Sequence, residues 1–290
     1  MPEEAQLVAL QLRVRDRDKA LAFYADLLGL HPVAAEGPWV RLAPAGRGFL
    51  LELEHAPHAA PRPAGSVGLY HVALRLPDRA SLAQVVRRLL DAEWPLEGAS
   101  DHGVSEAFYL SDPEGNGLEL YRDRPRELWP WRGGELRMVT KALDVAALLR
   151  EAREPGPLHP QTHLGHVHLS VADLSEAEAF YAGLLGLAVT QRSYPGALFF
   201  AAGGYHHHVG ANVWGTRRPA PEGSTGLVSY VWSVPAGTVG SLKQHLASAG
   251  AAFEDAGGEV RLRDPAGALV VVRDRSTETP REDRTGATPR

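Results

Sequence analysis

Residues 165–187, GHVHLSVADLSEAEAFYAGLLGL, decide the fold of this chain. The stretch opens with strict alternation of polar and apolar residues, which is the period of a half-buried β-strand. His166, His168 and Ser170 therefore share one face of the predicted strand, and the apolar residues between them share the other. Two histidines on one face of a strand that borders a core predict a polar site at that face.

A helix with one apolar face follows the strand. Asp173 or Ser175 can cap its N-terminus, and each is followed three residues later by a glutamate, as in a capping box. Phe180 and Tyr181 lie on its apolar side, and Gly186 stands where a glycine commonly ends a helix. The stretch therefore predicts a strand, a capped helix and a turn.

The same pattern occurs earlier in the chain. KALAFYADLLGL at 19–30 matches AEAFYAGLLGL at 177–187, with Phe23 and Tyr24 opposite Phe180 and Tyr181. DPEGNGLEL at 112–120 likewise matches DPAGALVV at 264–271. Both matches are separated by just over half of the chain, which indicates that one half duplicates the other.

Four units of the form βαβββ account for most of the sequence. We predict an α+β fold in which four modules pair into two curved mixed-sheet barrels, because one unit alone leaves a sheet face uncovered. The predicted segments are modules at 1–66, 67–123, 163–222 and 223–275, a connector at 124–162 and a disordered tail at 276–290.

Composition argues against several classes of function. A net charge of −5 over 290 residues gives no reason to expect a nucleic-acid partner, since binding a phosphate backbone needs a concentrated basic surface. The chain has no cysteine, which excludes disulfides, thiolate ligands and cysteine nucleophiles. The N-terminal MPEEAQ is acidic where a signal peptide is basic, and no apolar run approaches ~18–20 residues. We therefore expect a cytoplasmic protein with no membrane partner.

Residues able to bind a metal occur at matching positions in the second and third units. His71 precedes Asp78 by the same spacing that separates His166 from Asp173. The last strand of the second unit adds Glu119, which faces the opposite way from its leucine neighbours. Two imidazoles and one carboxylate on one face of an ion suit non-haem Fe(II) and dioxygen, because three adjacent positions stay open.

The first and fourth units lack these residues. Ala9 and Ser229 stand at the histidine positions, and Val271 stands at the glutamate position. Glu52 falls near the ligand register of the first unit, but we interpret it as structural because its partner position is Ala9. Taken singly, each candidate also has a structural interpretation. Each histidine could be a hydrogen-bonded core residue, and the glutamate a residue at a strand edge.

The candidate ligands also predict how the units pair. Pairing of the first unit with the second would split them between two pockets, whereas pairing of the second with the third brings all three into one sheet. The connector at 124–162 is long enough for this interleaved arrangement. We therefore predict a metal-binding pair of units two and three and a metal-free pair of units one and four.

Five segments of the sequence resemble the vicinal oxygen chelate superfamily: GHVHLSVADL, AFYAGLLGL, YHHHVG, GLYHVALRLPD and FYLSDPEGNGLELY. Within it, the chain resembles four-module extradiol ring-cleaving (catechol 2,3-) dioxygenases over about residues 5–275. The resemblance implies that His71, Glu119 and His166 are the metal ligands, with Fe(II) the expected ion and Mn(II) the second choice. It also implies a small aromatic diol and O2 as substrates, and it leaves open whether the chain forms a homo-oligomer.

The resemblance also assigns catalytic roles. The family places an acid–base histidine second in a His-His pair, which maps to His207 in YHHHVG, although His206 and His208 are not ranked firmly below it. By itself the run fits a solvated turn or an adventitious metal patch about as well. Imidazole suits the role, since it exchanges protons near neutral pH.

Two more residues are candidates for binding the substrate. Tyr109 lies ten residues before Glu119, a spacing at which the family has a tyrosine that hydrogen-bonds a metal-bound substrate oxygen. Simple strand packing is an equally good interpretation of Tyr109. His102, in the loop SDHGVSE, is either a donor that lines the pocket or an exposed loop residue.

Two other functions remain possible from the sequence. A glyoxalase- or epimerase-type metal isomerase would need a second carboxylate, and Asn212 stands where that glutamate is expected. A metal-free protein that binds an aromatic ligand would need none of the three candidate ligands. We therefore rank the dioxygenase first.

Overall fold

The computed structural model describes residues 1–46, 48 and 50–275. The predicted disordered tail at 276–290 lies outside the described residues. The described chain forms two large mixed sheets and one small two-stranded sheet, with five short helices.

The first half of the chain contains two βαβββ units. The first has strands β1 to β4 and helix α1, which continues into one π-helical turn: β1 Gln6–Val14, α1 Arg17–Leu21, π-turn Ala22–Leu27, β2 His31–Glu36, β3 Trp39–Ala43 and β4 Leu51–His55. The second has β5 Gly68–Leu76, α2 Arg79–Asp91, β6 Leu96–Asp101, β7 Ser105–Ser111 and β8 Gly117–Asp123.

The connector holds a 3-10 turn, three short strands and one helix: Arg126–Leu128, β9 Trp131–Arg132, β10 Glu135–Leu136, β11 Lys141–Ala142 and α3 Val145–Leu149. The third unit follows with β12 His163–Ser170, α4 Leu174–Glu178, π-turn Ala179–Leu184, β13 Ala188–Gln191, β14 Ala197–Ala201 and β15 Val209–Asn212. The fourth has β16 Gly226–Val234, α5 Thr238–Ser248, β17 Glu254–Asp255, β18 Glu259–Arg263 and β19 Leu269–Asp274.

The helix after β12 begins as predicted and ends differently. Asp173 caps it, because its carboxylate accepts the backbone N–H groups of Ser175 and Glu176. The second half is π-helical, with the Leu185 N–H bonded to the Phe180 carbonyl. This wider turn buries the adjacent aromatic residues Phe180 and Tyr181 together.

The units pair in the interleaved way that the sequence predicts. The first sheet has the order β17-β18-β19-β16-β1-β4-β3-β2, and antiparallel pairing of β1 with β16 joins the first and fourth units. The second has the order β11-β6-β7-β8-β5-β12-β15-β14-β13, and antiparallel pairing of β5 with β12 joins the second and third units. The edge strands of each sheet do not pair with each other in the described ranges, so the sheets are open where closed barrels would have joined edges.

One apolar core serves both sheets. Leu10 and Leu12 of β1 belong to the same buried cluster as Val167 and Leu169 of β12. The alternation of β12 therefore places its histidines on the face away from this core. Among the described helices, none is long and apolar enough to cross a membrane.

Candidate metal centre

Three adjacent strands of the second sheet bring the candidate ligands together. On β5, Ala73 pairs with Glu119 of β8 on one side and with His166 of β12 on the other. Directly paired residues project to the same face, and His71 lies two residues before Ala73 on that face. Ala73 is fully buried, and its small side chain leaves space between the three polar groups.

The three ligand atoms form a tight triangle. His71 Nε2 lies 3.2 Å from His166 Nε2 and 3.0 Å from Glu119 Oε2, and His166 Nε2 lies 3.1 Å from Glu119 Oε2. Two ligand atoms bound at right angles, each about 2.1 Å from an ion, are about 3.0 Å apart. The buried donor set therefore fits one divalent cation held by His71, His166 and Glu119.

The protonation states also suit a metal. Burial works to raise the pKa of Glu119, but the His166 and His71 side chains beside it lower that pKa well below its ordinary value. Burial lowers the pKa of His166 to about 4, against the opposing effect of Glu119. Near neutral pH the pair is an ionised carboxylate and a neutral imidazole, the forms that bind metal ions.

Gly165 lets β12 approach the rest of the site. A Cβ atom there would lie 1.8 Å from the hydroxyl oxygen of Tyr121, so only glycine fits. The register between β12 and β5 shifts between Leu164 and His166, and Gly165 is the residue that this bulge contains. The bulge sets His166 opposite Ala73.

The corresponding place in the first sheet is filled differently. Gln11 pairs with Glu52 and Ser229 there, as Ala73 pairs with its two neighbours in the second sheet. Glu52 accepts a hydrogen bond from Arg41 at 2.7 Å, and the Ser229 hydroxyl lies 3.2 Å from the Gln11 amide oxygen. This sheet keeps a carboxylate but has no histidine at these positions, which agrees with the structural interpretation of Glu52.

A pocket of about 210 Å³ is lined by two of the three ligand candidates, His71 and Glu119, and by His207, whose ring lies against that of His166. Tyr70, Tyr194, Phe199 and Trp214 give it aromatic walls. Among the described residues that line it, Glu119 is the only carboxylate, and there is no lysine or arginine. The pocket therefore suits a flat, uncharged aromatic molecule that reaches the metal position through polar atoms.

The structure separates the three consecutive histidines. His207 lines the pocket, and its ring lies over that of His166 with centroids 4.0 Å apart. His206 and His208 both pack against Tyr205 instead. Burial lowers the pKa of His207 well below its ordinary value, with His166 as the next contributor, so the ring is a neutral base.

Tyr109 and His102 form a hydrogen-bonded pair at the edge of the pocket. Tyr109 is the direct cross-strand partner of Glu119. His102 Nδ1 lies 2.7 Å from the Val139 carbonyl oxygen, which can only accept, so a neutral His102 has its proton there. His102 Nε2 then accepts from the Tyr109 hydroxyl at 2.7 Å. Burial raises the pKa of Tyr109 well above its ordinary value, so this hydroxyl stays protonated.

Two residues to which the sequence analysis assigned no role also belong to the site. His168 is buried, lines the pocket and is the cross-strand partner of His71. Its shared face with His166 was visible in the alternation of the strand. Asp123, at the end of β8, lies 2.9 Å from His206 Nε2, and no local pattern indicates that contact.

Comparison with known proteins supports the same assignment of fold and family. Residues 6–120 and 163–272 match the family model described as Glyoxalase/Bleomycin resistance protein/Dioxygenase superfamily. The chain is 38% identical over 279 residues to a Bacillus subtilis (strain 168) protein named catechol-2,3-dioxygenase. That alignment covers 93% of this chain and 97% of the Bacillus protein.

Solved structures share the fold at low sequence identity. One from Bacillus subtilis subsp. subtilis str. 168 has a TM-score of 0.68 at 14% identity, and covers 94% of this chain and 86% of its own. Glyoxalase I from Zea mays has a TM-score of 0.58 at 15% identity, and covers 93% of this chain and 92% of its own. At these identities the likeness concerns the fold alone.

Proposed function

The chain belongs to the Glyoxalase/Bleomycin resistance protein/Dioxygenase superfamily, and we propose that within it the chain is an extradiol dioxygenase. Its substrates would be O2 and an aromatic ring with two adjacent hydroxyl groups. The relative named catechol-2,3-dioxygenase supports this class of reaction.

The observation that carries the proposal is the position of the three ligand atoms. They converge within 3.2 Å of one another beneath a pocket with aromatic walls. A flat ring that enters this pocket can direct two neighbouring oxygen atoms toward one point. Adjacent hydroxyl groups are the substituents that meet this requirement.

His71, His166 and Glu119 would hold Fe(II), with Mn(II) as the second choice. The ion, when bound, supplies redox chemistry and adjacent open positions for the diol and O2. The protein supplies the binding and orientation of the substrate. The walls formed by Phe199, Trp214 and the tyrosines exclude water and orient the ring.

His207 would take the proton of a substrate hydroxyl. Its ring is neutral, lines the pocket and lies beside His166, so a hydroxyl directed at the metal position passes close to it. Tyr109 would orient the same end of the ring. Because its proton is directed to His102, its oxygen lone pairs are left to accept a hydrogen bond from the substrate.

The two alternative functions have less support. A metal isomerase of this superfamily would need a second carboxylate, and the described lining of the pocket offers only Glu119. Asn212 is buried and accepts a hydrogen bond from the Trp214 backbone N–H. A metal-free binding protein would have no use for a buried triangle of ligand atoms.

Oxygen uptake tests the proposal. The chain is treated with a chelator, reconstituted anaerobically with Fe(II) or Mn(II), and given catechol and its alkyl-substituted forms in air-saturated buffer. We expect oxygen consumption and a ring-opened product with these 1,2-diols, and neither with the 1,3-diol resorcinol. His207→Phe should keep the metal and slow turnover. A metal-loaded chain that consumes no oxygen with any 1,2-diol would contradict the proposal.

A further inference from the structure

A line of hydrogen bonds runs from the pocket into the protein through two histidines. His207 Nδ1 lies 2.7 Å from His206 Nδ1, and His206 Nε2 lies 2.9 Å from Asp123 Oδ1. The His206 side chain is buried, and Asp123 lies mostly beneath the surface. Neither residue lines the pocket, and the hydrogen bonds that connect them to it run through His207.

Asp123 is held as an ionised acceptor. Its Oδ2 accepts from the Arg75 guanidinium at 2.8 Å and from the Tyr205 hydroxyl at 3.0 Å. The Tyr205 hydroxyl also lies 2.7 Å from that of Tyr121, which fixes its position. Burial works to raise the pKa of Asp123, but its contacts with His206 and Arg75 lower the pKa below its ordinary value.

When each ring carries one proton, the contact with Asp123 determines which nitrogen of His206 and of His207 holds it. A carboxylate can only accept, so His206 Nε2 must donate to Asp123. His206 Nδ1 then has a lone pair, and the 2.7 Å contact requires His207 Nδ1 to donate to it. The lone pair of His207 is consequently on Nε2, the nitrogen on the ring edge turned away from His206.

We infer that Asp123 and His206 are positioning residues that hold the proton of His207 on Nδ1 and so present its Nε2 lone pair to the pocket. The catalytic consequence rests on the proposed function, because only a base for the substrate hydroxyl needs that lone pair. The proton position itself does not rest on it. In a Ser-His-Asp triad a carboxylate orients one imidazole directly. Here the carboxylate of Asp123 would orient His207 through the imidazole of His206.

Asp123→Asn is the sharpest variant because the surroundings decide how its amide is oriented. Arg75 and Tyr205 both donate to the Oδ2 position, so the amide oxygen belongs there and the NH2 group faces His206 Nε2. His206 would then donate from Nδ1 to His207 Nδ1. The His207 proton would move to Nε2, and the pocket would face an N–H group in place of a lone pair.

Nuclear magnetic resonance of the ring nitrogens measures the proton position directly. The full chain is labelled with ¹⁵N-histidine, freed of paramagnetic metal and studied at neutral pH by long-range ¹H–¹⁵N correlation. We expect the protonated nitrogen of His207 to be Nδ1 in the native chain and Nε2 in Asp123→Asn. A native His207 protonated on Nε2 overturns the inference, whether or not the variant folds.

Kinetics of the Fe(II)-loaded chain separates positioning from structural damage. We expect Asp123→Asn to keep its iron and its KM for catechol and to lose about 10²-fold or more in kcat, within the range of general-base effects. Asp255→Asn, which removes a surface ion pair with Lys243, is the matched control and should change neither value. An unchanged kcat in Asp123→Asn overturns the catalytic consequence. Absence of oxygen uptake by the native chain would instead contradict the proposed function and leave the resonance result standing.

Discussion

The Tyr24 hydroxyl donates a hydrogen bond at 2.9 Å to Oδ2 of Asp112, a buried carboxylate in the turn after β7. Tyr24 follows β1 of the first sheet, and Asp112 follows β7 of the second. The duplicated half repeats the contact, with the Tyr181 hydroxyl 2.8 Å from Oδ2 of Asp264. Each contact therefore joins the lobe that holds the candidate ligands (units two and three) to the lobe that lacks them (units one and four).

Removal of one of these hydroxyl groups should weaken the fold. In Tyr24→Phe the aromatic ring still fills its place, but Asp112 loses one donor in a buried site. We expect a loss of about 1–2 kcal/mol in the free energy of unfolding, measured by denaturant titration. Tyr181→Phe should lose a similar amount, and the double variant should lose the sum, because the two contacts share no residue. Unchanged midpoints in both single variants would show that the contacts do not stabilise the lobes.

Metal retention should depend on the sheet in which a glutamate stands. Glu119→Ala removes one of three converging ligand atoms, and we expect the reconstituted chain to lose its iron on gel filtration. Glu52→Ala is the matched control, since Glu52 has the corresponding strand pairing in the first sheet. It should keep the iron of the native chain, measured by atomic absorption. Equal iron in native chain and Glu119→Ala would refute the ligand assignment.

The sequence predicted that only one sheet carries the candidate ligands, because the face to which a strand residue points follows from its immediate neighbours. His71, Glu119 and His166 could each be assigned to a face from their neighbours, and only one pairing of units brings those faces together. The π-helical turns could not be predicted, since apolar spacing does not distinguish a widened last turn from an α-helical one. The contact of Asp123 with His206 joins residues 83 positions apart and depends on side-chain rotamers.

Tyr109→Phe should lower kcat/KM for catechol without loss of metal. The ring keeps its cross-strand place beside Glu119, but the hydroxyl that contacts His102 is gone. One lost hydrogen bond of about 1–2 kcal/mol corresponds to a fall of roughly 5- to 30-fold in kcat/KM for catechol. Oxygen uptake across a series of catechol concentrations measures it, with iron content as the control. A native value of kcat/KM would assign Tyr109 to strand packing.

Acid should destabilise the chain through His208, which lies outside the metal centre. Its Nδ1 accepts the Ala202 backbone N–H at 3.3 Å, and its ring packs against Trp232. Burial lowers the pKa of His208 to about 3, so the folded chain excludes a proton that the unfolded chain takes up below about pH 6.5. Stability that is present near neutral pH is therefore lost as the pH falls toward 3.

His208→Asn isolates this effect, because the asparagine oxygen can still accept from Ala202 and does not titrate. Between pH 7.5 and pH 5 we expect the native chain to lose about 2 kcal/mol more than the variant in the free energy of unfolding. Denaturant titrations of the metal-free proteins at the two pH values measure the difference. Both proteins keep all other histidines, so the difference between them reports the change at position 208. Parallel losses in the two proteins would mean that His208 takes up its proton equally well in the folded chain.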